Sequence, residues 1–403
     1  MKAKSKRKGN FPPLRFPEFK AEWKRKKLGE VAEIVGGGTP DTNIDEYWDG
    51  NIQWFTPSEI KSNFVSKSIR TITELGLKKS SAKLLPIGAI LLTTRATIGD
   101  VAIAEQECAT NQGFQSLIVY KNVNNKFIAN WIRINKNKFI KLAKGSTFAE
   151  ISKKDIEKIN IFITELPEQN KIAFFLSLID ERISTQMKII EEWEKLKKGM
   201  IDELFSQKMR FINEKKNFIC KTKSLSTLLI KNNEKNKKRK YSKVQSVSNK
   251  LGFANQEEIF ANRRVASINT SNYYVIRKGI FAYNPSRIDV GSLAYKVDDE
   301  ISIISPLYVS FWTKKTYVVD LYLFYWFSSK YFITQMNSSF EGSVRNTLSY
   351  ESLGRMKMVL PPIDKQQEIA SILSSFDKKL SIERQILAQY QSQKKYLLQN
   401  MFI

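Results

Sequence analysis

The chain contains no histidine, and only two cysteines occur among its 403 residues, Cys108 and Cys220, far apart. Without histidine there is no imidazole for general acid–base chemistry. Without clustered cysteine or histidine the common zinc sites are excluded, as is a disulfide framework. No apolar run approaches the ~18 residues of a membrane span, and no secretory signal opens the sequence. Acidic residues are also scarce relative to basic ones. Lys and Arg number 66 against 40 Asp and Glu, a net charge of +26. Such a surplus concerns partners rather than fold, and points to a polyanion or an anionic membrane surface. The residues present fit a reducing cytoplasm.

What the chain has is a repeat. Gly145–Phe205 aligns without a gap on Gly342–Phe402 at an offset of 197, with 14 identities over 61 positions. Matched pairs include Ser152/Ser349, Gln169/Gln366, Asp180/Asp377, Lys197/Lys394 and Phe205/Phe402. The later part of each copy carries a 4-3 apolar spacing. In the first it runs Ile172, Leu176, Ile179, Ile183, Gln186, Ile190, Trp193, Lys197, Met200, Leu204. In the second it runs Ile369, Leu373, Phe376, Leu380, Glu383, Leu387, Tyr390, Lys394, Leu397, Met401. A 3.5-residue period held this long predicts a coiled-coil helix of about 35 residues, roughly 50 Å. The polar breaks fall at the same two slots in both copies, as a register device would. Antiparallel packing predicts a Glu383–Lys197 contact.

Ahead of each helix lies a segment of short apolar runs broken by Gly, Pro, Ser and Asn, an α+β pattern. Strands are expected at Ile87–Thr94, Val101–Ile103 and Gln115–Tyr120, with a helix over Phe127–Leu142. In the second half Lys278–Tyr283 corresponds to the Ile87 strand, Ser286–Gly291 to the turn Arg95–Gly99, and Val318–Phe332 to the Phe127 helix. The organisation is therefore a basic flexible tail (1–15), domain (16–165), helix (166–207), domain (208–359), helix (360–403). Lys235–Lys240 is a basic run, ordinarily a solvated loop, that next to DNA would track phosphates.

Catalytic patterns are weak. Gly36–Gly37–Gly38–Thr39–Pro40 lacks the Lys and Ser/Thr of a phosphate loop and reads as a mobile or DNA-facing turn. Asp41, Glu59 and Lys61 have the spacing of a Pro-Asp…Glu-x-Lys metal nuclease, which keeps a standalone nuclease open. A coiled-coil adaptor that does not bind DNA is the other alternative. Asn284–Pro285–Ser286–Arg287 lacks the second proline and the aromatic of an amino-methyltransferase loop, and reads as a strand-ending turn.

Several stretches together resemble the specificity subunit of type I restriction–modification systems. They are Leu28–Val31 leading to Gly36–Pro40, Arg95–Gly99, Asn111–Phe114 and Tyr283–Arg287. The helix openings Leu166–Ala173 and Leu360–Ala370 add the strongest likeness. The resemblance covers about residues 16–403. It implies two target-recognition domains in pseudo-symmetric tandem, each followed by a long helix, the helices packed antiparallel. It implies a cytoplasmic, non-catalytic chain in which each domain reads half of a bipartite, gapped duplex target. It also implies two methyltransferase subunits and two restriction/motor subunits as partners. S-adenosylmethionine, ATP and magnesium would belong to those partners. Candidate base readers are Thr39, Lys61, Arg95 and Thr147 in the first half, and Arg263, Arg264, Arg287, Arg345 and Asn346 in the second. Candidate partner-binding positions are the apolar seam residues Ile172, Leu176, Ile179, Ile183, Ile190, Trp193, Ile369, Leu373, Phe376, Leu380, Leu387 and Tyr390.

Overall fold

A computed structural model describes residues 9–143, 149–206, 212–213, 216–217, 220–249, 252–255, 269–340 and 346–403. It divides into two compact units. One is Met1–Met187 with Ile386–Ile403, the other Lys188–Gln385. Each unit therefore contains a domain, part of the helix that follows it, and part of the other copy's helix.

The frame of each unit obeys the 197-residue offset beyond the stretch where sequence identity reveals it. In the first unit Lys24–Lys27 pairs antiparallel with Asn160–Ile163. In the second Lys221–Ser224 pairs with Lys357–Leu360 in the same register. A short helix follows at Lys153–Glu157 and at Tyr350–Arg355. The Ser152 hydroxyl accepts from Asp155 N and the Ser349 hydroxyl from Ser352 N, each at 3.1 Å. These are N-caps, which satisfy amides the helix itself leaves open. The long helices start at Leu166 and Ile363, again 197 residues apart, and run to Leu204 and Asn400.

The sheets share an order. In the first unit Ala32–Gly36, Gln115–Val119, Ile90–Leu92 and Val101–Ala104 lie side by side, with Phe64–Val65 added at the edge. In the second the order is Leu229–Lys231, Val309–Thr313, Phe281–Tyr283, Leu293–Tyr295. A glycine in the left-handed region precedes the inner hairpin and another closes its turn: Gly88 and Gly99, then Gly279 and Gly291. A side chain is strained there, so the glycines mark equivalent turns that the sequence alone aligns only with drift.

The predicted helices over 127–142 and 318–332 are each two helices. Asn125–Ile134 is followed by Lys136–Leu142, and Asp320–Trp326 by Lys330–Asn337. The Asn135 amide donates to Trp131 O at 2.9 Å and so stops the first. The Ser329 hydroxyl accepts from Phe332 N and starts the last. Apolar periodicity runs across both breaks because each pair buries the same core: Phe127, Trp131 and Phe139 in one, Tyr322, Trp326 and Phe332 in the other.

All twenty seam positions of the long helices are buried or half-buried. In the second unit Trp193 meets Phe376 edge-on at 5.6 Å, and Arg384 donates to Glu194 at 2.6 Å. The segments run antiparallel. Lys197 pairs with Asp377, whereas the expected partner, Glu383, pairs with Lys379 on its own helix. In the first unit Lys394 pairs with Asp180. The repeat-matched Asp and Lys thus exchange partners between copies, which explains their identity better than the polar seam does. Within each unit part of the seam joins the core: Ile172, Leu176 and Ile179 share a cluster with Leu397 and Met401, and Ile369 and Leu373 share one with Ile201 and Phe205.

Candidate nucleic-acid interface

In the first unit three loops converge behind one surface. The chain after Ala32–Gly36 crosses the backbone of residues 110–114: Gly38 N donates to Thr110 O at 2.8 Å, and Trp54 Nε1 donates to Gly38 O at 2.9 Å. A Cβ on Gly37 would sit 2.0 Å from Asn111 O. The triple glycine therefore permits close backbone approach; it is a held loop, not a mobile one. Next to it the Thr39 hydroxyl donates to Gln112 Oε1 at 2.5 Å. Asn111 Oδ1 accepts from Gly113 N at 2.8 Å, and Thr94 N donates to Gly113 O at 2.7 Å. This carries the contact on to the Arg95 turn.

That turn places Ala96 at φ +58°. It is closed by Thr93, whose hydroxyl donates to Thr97 O at 2.5 Å and accepts from Asp100 N at 3.0 Å. Arg95 is half-exposed and its Nη2 donates to Glu150 at 2.7 Å. Thr39 and Arg95 are thus brought together through Asn111–Gly113, with Gln112 exposed between them. Gln112 was missing from the candidate readers. Its partner lies 73 residues away in sequence, and no local pattern announces that. Lys61 is exposed just beyond the turn Pro57–Glu59.

In the second unit Arg287 and Asn346, distant in sequence, line one open cleft with Ser286 and Asp289. Asn284 orders the turn: its Oδ1 accepts from Ser286 N, and its carbonyl from Arg287 N, both at 3.1 Å. Leu348 N donates to Pro285 O at 3.1 Å and Tyr283 OH donates to Leu348 O at 3.0 Å, which ties the two segments together. The juxtaposition repeats that of the first unit. In each, the turn of the inner hairpin meets the segment before the last short helix, through Arg95 and Glu150 or through Pro285 and Leu348. Thr147, Arg263, Arg264 and Arg345 lie outside the described residues.

The two carboxylates of the nuclease pattern are absorbed by local structure. Glu59 accepts from Thr56 N and Oγ1 and from Ile69 N, all at 2.7 Å. Asp41 accepts from Asn43 N at 3.0 Å in an Asx turn. Among the described residues no three His, Cys, Asp or Glu are grouped to hold a metal ion. No helix among them is long and apolar enough to cross a membrane.

The type I restriction modification DNA specificity domain matches the chain twice, over residues 20–195 and 219–391. The MjaIX specificity subunit of Methanocaldococcus jannaschii is 35% identical over 198 residues, 48% of this chain and 46% of that one. The chain thus spans about half the length of that relative. The MjaVIII specificity subunit of the same organism is 24% identical over 413 residues, 96% of this chain and 92% of its own. An S subunit of a type I restriction–modification system from M. genitalium has the same fold, with a TM-score of 0.56 at 16% identity over 98% of this chain and 99% of that one. With two specificity domains matched along most of its length, the chain belongs to the type I restriction modification DNA specificity family.

Proposed function

We propose that the chain is the DNA-specificity subunit of a type I restriction–modification complex. Residues 16–165 and 208–359 act as target-recognition domains, and each reads one half of a gapped duplex target. The observation that carries this reading is the repeated juxtaposition of hairpin turn and pre-helix segment. It presents Arg95 in one unit, beside the loop that carries Gln112, and Arg287 with Asn346 in the other. Arginine is suited to guanine O6/N7, and asparagine or glutamine to adenine N6/N7. A helix of 39 residues is about 58 Å long, enough to span between one and two turns of duplex at about 34–36 Å each.

The chain itself performs no chemistry in this scheme. Two methyltransferase subunits carry S-adenosylmethionine and the pocket for the flipped adenine. Two restriction/motor subunits carry ATP and magnesium, in the cytoplasm. Methylome sequencing of a host expressing this chain with a type I methyltransferase subunit tests the reading. One two-part adenine-methylated motif, lost when the chain is deleted, is the expected result. An active methyltransferase giving no chain-dependent motif would overturn it.

A further inference from the structure

The two units differ at one equivalent loop. Strand Ala32–Gly36 pairs antiparallel with Gln115–Val119, and strand Leu229–Lys231 pairs likewise with Val309–Thr313. The loops that follow these strands occupy the same place in the fold. Residues 37–47 carry Asp41, Asp45 and Glu46 and no cation, a net charge of −3. Residues 234–244 carry six Lys or Arg and one Glu, a net charge of +5. All three carboxylates of the first loop are exposed, and none pairs with a cation among the described residues.

The basic loop is built rather than loose. Asn236, 2% exposed, anchors it: its Nδ2 donates to Tyr241 O at 2.8 Å, its backbone N donates to Tyr273 O at 2.9 Å, and its carbonyl accepts from Arg239 N at 2.8 Å. Arg239 takes φ +50° at the tip. At the base, Arg277 binds both oxygens of Glu234 at 3.1 and 2.7 Å and reaches Tyr241 OH at 3.2 Å. The one carboxylate of the loop is thereby neutralised. Lys237, Lys238, Arg239 and Lys240 remain exposed, and among the described residues none forms an ion pair.

We infer that this loop is a preformed phosphate-contacting element of the second recognition domain, and that the first domain has no counterpart, so the grip on the duplex backbone is lopsided. The inference rests on the DNA-binding reading above. Four like charges held together raise the local potential for a polyanion, and a braced loop has little left to lose in ordering when it binds. Phosphate contacts position a protein without reporting sequence.

The test is fluorescence anisotropy of the full chain on a labelled mixed-sequence duplex over a series of KCl concentrations. Each phosphate contact adds about 0.9 to the slope of log K against log salt. The variant K237Q/K238Q/R239Q/K240Q is expected to flatten that slope by about 2–4 and to weaken low-salt binding about 10- to 100-fold. The equal-charge control K188Q/K198Q/K378Q/K395Q, on exposed helix positions, is expected to leave the slope in place. An unchanged slope in the loop variant, or an equal drop in the control, overturns the inference and leaves DNA recognition standing. No duplex binding by the unaltered chain overturns both. The methylated motif itself should be the same with the loop variant; a changed motif would mean that the loop reads bases, and would overturn the phosphate role.

Discussion

At the scale of single residues, function and packing separate cleanly for some side chains. Arg287 and Asn346 are exposed, share a cleft and support no core. Arg287→Ala is therefore expected to leave the melting temperature in place, cost about 1–3 kcal/mol of specific binding, and relax one position of one half-site. Methylome sequencing reads the relaxed position directly. Cys108 is the opposite case. It is buried in the sheet core, and burial pushes its thiol up to about 12. Only the thiolate reacts, so Cys108 should stay unmodified by a disulfide reagent at pH 8 until the chain unfolds, while half-exposed Cys220 is titrated first. The candidate readers were legible from residue type and turn position where the turn is local, as at Arg95 and Arg287. Gln112 was not, because its place beside Thr39 depends on strands folding across the sheet.

Elements show what the repeated identities do. Gln169 and Gln366 look like ordinary polar residues at the start of a helix. Each is buried and binds the backbone where the core helix begins. Gln169 Oε1 accepts from Asn124 N at 2.9 Å, and Gln366 Oε1 from Val319 N at 2.9 Å. Each also donates to a neighbouring carbonyl, Thr164 O at 2.7 Å or Pro361 O at 2.9 Å. Truncation to alanine strands several buried polar groups, so Q169A and Q366A should each lower unfolding free energy by about 1–3 kcal/mol in urea titration. The exchanged ion pairs invite a double-mutant cycle. Asp180 and Lys394 are both mostly covered, whereas Asp377 is 43% exposed. Coupling between D180N and K394M should be about 1 kcal/mol, and that between D377N and K197M smaller, since exposure screens the pair. The long helices themselves were fully legible, because a heptad needs only local periodicity. The breaks at Asn135 and Ser329 were hidden, because both halves of each broken helix share one apolar face.

For the whole molecule, the tandem architecture followed from one gapless alignment, and the outer strand pair of each unit keeps that offset, at Lys24 and Lys221 and again at Asn160 and Lys357. Sequence identity fades outside 145–205 because the frame needs strand pairing and burial rather than particular side chains. Replacing residues 16–165 with the corresponding domain of another family member should change one half of the methylated motif and leave the other half intact. If both halves change, the two domains do not read independently. What no single-sequence pattern disclosed is how the helices are shared out. Phe205 packs on Tyr322 at 5.0 Å in the second unit, while its counterpart Phe402 packs on Phe127 at 4.9 Å and Trp23 at 6.3 Å in the first. F402A should cost about 3–5 kcal/mol, as for a buried phenylalanine, and should destabilise the first unit.

That last contact has a consequence for synthesis on the ribosome. Trp23 and Phe127 are made early, but Leu397, Met401 and Phe402, which share their cluster, are made only after the whole of residues 188–385. At about 5–20 residues per second the gap is roughly 10–40 s. During that interval the first unit waits with an apolar groove uncovered, open to chaperones and proteases. Translation that halts before the second helix then leaves Trp23 and Phe127 without the Phe402 ring that packs on them.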